Sequence, residues 1–118
     1  MIICKINMPT NNNDGVLLTS LHARLKVELV TVFSGCTITE GQGVWLSDGV
    51  VYDEPVKIYE TAINGGAVSK LVDIAKKYAS EAGQLAVYLS IDGKAFIENI
   101  ILPFAVQSRP SPNNPNAI

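Results

Sequence analysis

Ile2, Cys4, Ile6 and Met8 alternate with Lys5 and Asn7 across Met1–Met8. That period of two predicts a half-buried strand. Pro9 closes it, and the polar run Thr10–Gly15 reads as a turn-forming loop. Leu21, Leu25, Leu29 and Val32 then recur at helical spacing, which predicts a helix over 20–34. Thr19 or Ser20 is placed to cap its start with a hydroxyl, and Gly35 to take the left-handed residue after its end. An extended pattern restarts at Thr37 and runs through Gly41-Gln42-Gly43 to Trp45, and Ser47-Asp48-Gly49 signals a hairpin. The return strand, Val50–Thr61, has Val50, Tyr52, Glu54, Val56, Ile58 and Glu60 on one face. Val51, Asp53, Lys57 and Tyr59 take the other. Pro55 cannot donate a ladder hydrogen bond, so it implies an edge position or a bulge.

After the loop Asn64-Gly65-Gly66, the stripe Leu71, Ile74, Ala75, Tyr78 and Ala82 predicts a second helix that stops at Gly83. Leu85–Ile91 and Lys94–Leu102 are strands joined by a second Asp-Gly turn at Asp92-Gly93. The order is β-α-β-β-α-β with an extra C-terminal hairpin strand. This is an α+β, ferredoxin-like plan: an antiparallel sheet with both helices on one face. Residues 1–102 are expected to form a single domain. Residues 103–118, rich in proline and asparagine, are expected to be a loosely ordered tail.

Such a sheet leaves one face open, to be covered by a partner or used for a ligand. Val51 and Tyr59 are expected to stay wet on a monomer, so a homo-oligomer, dimer or trimer, is expected, with the Ser47–Gly49 hairpin near a subunit boundary. The competing expectation is that the tail folds back over the sheet through Phe104 and Val106.

Composition narrows the function. Among 118 residues, nine bases stand against eleven acids, for a net charge of −2. No basic excess is present to hold a phosphate backbone, so nucleic-acid binding is disfavoured. The apolar runs are far too short to cross a membrane, and Met1–Met8 does not make a secretory signal. Cys4 and Cys36 are too few for a disulfide scaffold or a zinc site of cysteines. They read as reduced residues of a cytoplasmic protein, with no metal and no cofactor expected.

His22, the single histidine, is a weak signal for acid–base or metal chemistry, and a solvent-exposed or capping role is expected. Gly41-Gln42-Gly43 lacks the third glycine of a dinucleotide fingerprint and leads into a strand. It marks either a bulge or a place where a ligand or a neighbouring subunit approaches closely. Trp45 lies across the hairpin from Tyr52, as a packing pair or as an aromatic plate for a base-like ring. Glu54 shares its face with apolar and aromatic neighbours, so it is either at a wet strand end or buried and functional. Lys57 is a partner for Glu54 only if a bulge at Pro55 resets the register. Gln84 and Tyr88 are placed to offer neutral hydrogen bonds, with capping and strand packing as the plainer alternative.

Gly35-x-Thr37, Gly43-x-Trp45, Asp48-Gly49, Tyr52-x-Glu54-Pro55 and Gln84-x-Ala86-Val87-Tyr88 occur in this order. The series resembles a group of small phage and bacterial proteins with a ferredoxin-like plan, and is distantly similar to phage S-adenosylmethionine lyases. That resemblance covers roughly residues 1–98. It implies an aromatic residue and a glutamate beside the ligand, with the site between subunits; Gly43-Val44-Trp45 and Tyr52-Asp53-Glu54 are the matching positions. Trp45 stands where the lyases have tyrosine.

Three functions follow as expectations. The first is a phage-type binder of a nucleotide or nucleoside derivative, sequestering a host defence signal through Gly43, Trp45, Tyr52, Glu54, Lys57 and Tyr88. The second is a lyase with Glu54 catalytic, whose intramolecular reaction needs neither metal nor histidine. The third is an interaction module without a ligand.

Overall fold

The computed structural model describes residues 1–100. β1 (Ile2–Pro9) is followed by α1 (Thr19–Phe33), β2 (Thr37–Ser47) and β3 (Val50–Ile63). A 3-10 turn at Gly65–Ala67 leads into α2 (Val68–Glu81), then β4 (Ala86–Ile91) and β5 (Lys94–Asn99). The five strands form one antiparallel sheet in the order β2-β3-β1-β4-β5. The first four follow the ferredoxin-like order, and β5 extends the sheet beyond β4 as the expected hairpin strand. The expected tail at 103–118, and Phe104 and Val106 with it, lies outside the described residues.

Both helices cover one face, and their apolar stripes meet the buried side of the sheet in a single core. Leu21, Leu25 and Leu29 from α1 and Leu71, Ile74, Ala75, Tyr78 and Ala82 from α2's stripe pack with Cys4, Ile6, Met8, Val87 and Leu89. The helices are also tied at the surface. Arg24 pairs with Glu81, and Glu28 takes hydrogen bonds from Lys77 at 2.6 Å and from the Tyr78 hydroxyl at 2.8 Å.

Both hairpin turns are as the Asp-Gly pairs require. Asp48 and Gly49 sit at φ 51° and 75°, Asp92 and Gly93 at 52° and 79°. These paired positive φ values match the right-handed twist of the flanking strands.

Several local expectations are corrected. The N-cap of α1 is Leu18, with no side-chain cap, instead of Thr19 or Ser20; the Leu18 amide is held by the Thr10 carbonyl, which fixes the helix start one residue early. At the other end Ser34, not Gly35, takes the left-handed conformation (φ 75°). Tyr59 is not a wet residue but part of the core. β3 is long, and its odd-numbered residues divide. Tyr59 and Ile63 lie beneath the helix layer, while Val51 projects past it and is exposed.

No bulge interrupts β3 at Pro55. Its register against β2 is continuous from Ser47↔Val50 to Thr37↔Glu60, with Gln42 opposite Pro55. Proline is tolerated because β1 pairs only as far as Pro9↔Val56. Beyond that rung the Pro55 carbonyl accepts from the Thr10 amide, and the Thr10 carbonyl is already used by Leu18. The missing N–H therefore leaves no orphaned acceptor. The β2–β3 hairpin beyond this point is an arm that outruns the rest of the sheet.

Candidate functional site

The unbroken register assigns every residue of β2 and β3 to a face. Opposite pairs in an antiparallel ladder project to the same side. Trp45↔Tyr52, Gly43↔Glu54 and Gly41↔Val56 therefore share the face turned away from the helices. On β2 that face reads Thr37, Thr39, Gly41, Gly43, Trp45: small residues ending in one large ring. A Cβ at Gly41 would lie 3.1 Å from Ile58 Cδ1, so that glycine permits a close approach. Gly43 leaves Glu54 with no side chain on the opposite rung. The continuous register excludes a bulge at the glycine pair.

Trp45 and Tyr52 form the expected cross-strand pair, ring centroids 5.8 Å apart and planes inclined by 18°. Diagonal to this stack is Glu54. Both Trp45 and Glu54 are only 6% exposed. Among the described residues, neither the indole Nε1–H nor the Glu54 Oε2 has a hydrogen-bond partner. Buried polar atoms are rarely left so, because each costs its full desolvation. Burial alone pushes the Glu54 carboxyl up to about 7. At neutral pH it therefore exchanges readily between acid and base forms. Of the two sequence alternatives for Glu54, a wet strand end is excluded.

The remaining predicted residues divide. Tyr88 is on the same face but farther along, in a trough of about 420 Å³ with Lys5, Asn7, Ile58, Glu60 and Ser90. Lys57 projects to the opposite, helix-bearing face, where its amine lies 4.0 Å from Glu40. With no bulge to reset the register, it does not reach Glu54. Gln84 acts at the end of α2, where its amide donates to the Ala79 carbonyl, and its side chain reaches Asn13.

His22 is a further correction, being neither exposed nor a cap. One residue after Leu21, and three and seven before Leu25 and Leu29, it falls on α1's buried stripe. Its Nε2–H donates to the Pro9 carbonyl at 2.8 Å, so Nδ1 is left to accept from the Tyr59 hydroxyl at 2.5 Å. Desolvation holds the imidazole below its ordinary pKa. With both nitrogens engaged beneath the helices, His22 is separated from Glu54 by the sheet. Sequence reasoning also missed the burial of Val56 on Glu54's face. The small residues alternating along β2 were the available signal.

No protein-family model matches the chain, and no curated protein does. Among solved structures, the fold is similar to a phage SAM lyase in complex with S-methyl-5'-thioadenosine. There the TM-score is 0.64 at 12% identity, over 82% of this chain and 88% of that one. It is likewise similar to a phage SAM lyase in the apo state, with TM-score 0.66 at 10% identity over 86% and 90% of the two chains. The chain has the fold of these phage lyases.

Proposed function

We propose that the face carrying Gly43, Trp45, Tyr52 and Glu54 binds an adenosine-type sulfonium compound, S-adenosylmethionine, and cleaves it. The observation that carries this reading is the pair of buried, unpartnered polar atoms beside an aromatic stack. The Trp45 N–H calls for an acceptor and the Glu54 carboxyl for a donor or a cation, while the stacked rings offer a surface for a flat base. The likeness of the fold to lyases, one of them in complex with S-methyl-5'-thioadenosine, supports the same choice.

The proposed reaction is intramolecular. The substrate's own carboxylate oxygen bonds to its γ-carbon, the bond from that carbon to sulfur breaks, and the electron pair goes to sulfur. Methylthioadenosine and homoserine lactone leave, and no proton has to be taken from carbon. The protein's task is to hold the chain folded for attack. Glu54 in its ionised form would grip the substrate's cationic end. This assignment suits a site from which the only histidine is absent.

We further propose that the protein works as a closed homo-oligomer, a dimer or trimer, in the cytoplasm of a phage-infected host. The support is the arm's other face, where Val44, Leu46 and Val51 are all exposed. Several such side chains left wet favour association.

Incubating purified protein with S-adenosylmethionine and separating the products tests the reaction. Methylthioadenosine and homoserine lactone are expected, and Glu54→Gln should abolish their release. Tight binding of S-adenosylmethionine or a nucleotide signal without turnover would replace the lyase by a sequestering protein, which suppresses host defence by binding alone. No binding of any nucleoside derivative would leave an interaction module.

A further inference from the structure

On the opposite side of the sheet from Glu54 lies a second recess, a cavity of about 420 Å³ between the start of α1 and the strands β2 and β3. Lys26 of α1 and Lys57 of β3 both line it, and the single acid there is Glu40 of β2. Glu40 lies 4.0 Å from the Lys57 amine and its side chain is 84% exposed, so the pair is weak and solvent-screened. Lys26 makes no ion pair among the described residues. His22 and Tyr59 also line the recess but are bonded to one another. The recess therefore carries one uncompensated positive charge. Leu17 and Ile38, both exposed, give it an apolar wall, and Thr10 adds a hydroxyl.

We propose that this recess binds a small organic anion, its charged head between Lys26 and Lys57 and its short apolar body against Leu17 and Ile38. Charge complementarity selects the head, and the two exposed aliphatic side chains select the body. The site is separate from the Glu54 face, and a ligand there leaves the Trp45–Tyr52 stack untouched. Lys57 thus has a binding role on the face where the register puts it.

Titration of the isotope-labelled protein with hexanoate, followed through its backbone amide resonances, tests this. Saturable shifts at Thr10, Leu17 and Ile38 are expected, with Trp45 unmoved. Lys26→Gln and Lys57→Gln should each weaken binding about tenfold, and hexanol should produce no saturable shift. Unchanged resonances elsewhere in both variants would establish that they fold normally. No saturation with hexanoate by about 10 mM, well past a millimolar dissociation constant, would overturn the proposal. So would equal shifts with hexanol, equal shifts with inorganic phosphate, or binding undiminished in both lysine variants.

Discussion

The His22 imidazole lies nearly parallel to the Tyr59 ring, centroids 5.8 Å apart, and accepts the Tyr59 hydroxyl proton at Nδ1. This bond joins α1 to β3 inside the core, and it requires neutral histidine. His22's folded pKa is depressed below 6.5. Its contribution to stability is therefore full above pH 6.5 and is lost as pH falls through the folded value. Denaturant melts at pH 8 and pH 5 should show the fall, and His22→Gln should flatten it. Tyr59→Phe leaves Nδ1 unpaired and should cost about 1–3 kcal/mol at pH 8.

Glu54 titrates in the contrary sense. Its folded pKa, about 7, lies above the ordinary 4.5, so the fold favours the protonated form. The neutral carboxyl's advantage is full below pH 4.5 and lost as pH rises through 7. At about 1.4 kcal/mol per unit, the ionised group costs up to about 3 kcal/mol at pH 8. Glu54→Gln should thus raise stability at pH 8 and change little at pH 4, while abolishing lyase activity. A gain in stability with a loss of turnover is the signature of a functional buried acid.

At the proposed site Trp45 should report ligand occupancy directly, being the one tryptophan in the chain. Methylthioadenosine should quench or shift its fluorescence saturably. Trp45→Phe keeps a ring but removes the Nε1–H donor, and should weaken binding about tenfold as measured by calorimetry. Trp45→Leu removes the plate as well and should weaken it further.

Leu46 and Val51 are 69% and 65% exposed and lie opposite one another on the arm. Replacing both with lysine removes nothing from the core. Light scattering should nonetheless show the particle mass drop to 12.7 kDa from a multiple of it. An unmodified protein that already scatters at 12.7 kDa would remove the oligomer from the functional proposal.

Much of this fold was legible in period and punctuation. The stripes from Leu21 and Leu71 and the alternation of Ile2–Met8 each report local geometry repeated over two or more turns or rungs. The Asp-Gly turns are equally local. What was misplaced depends on distant partners. Leu18 rather than Thr19 is the N-cap of α1 because Thr10 holds its amide, and His22 is buried because Tyr59, 37 residues away, offers it a hydroxyl. Tyr59 departs from the parity that makes Val51 wet, because β3 passes out from under the helices midway along its length. Glu54, Trp45, Tyr52 and Gly43 were found together because a hairpin register is itself a local property. Tyr88 and Lys57 were not, since their places depend on how far the sheet extends and on whether Pro55 breaks it.

That Pro55 does not break it has a kinetic consequence for the arm. Past the Pro9↔Val56 rung, Gln42–Ser47 and Val50–Pro55 have, among the described residues, only each other as ladder partners. A two-stranded ribbon is marginally stable by itself. Its amides should exchange with solvent through a local opening of lower energy than the one that frees Ile6 or Leu89. The Trp45–Tyr52 stack and Glu54 sit on this ribbon, so the proposed site should loosen and close again while the two-helix core stays intact. Closing the ribbon on a ligand would then tighten the whole arm at once.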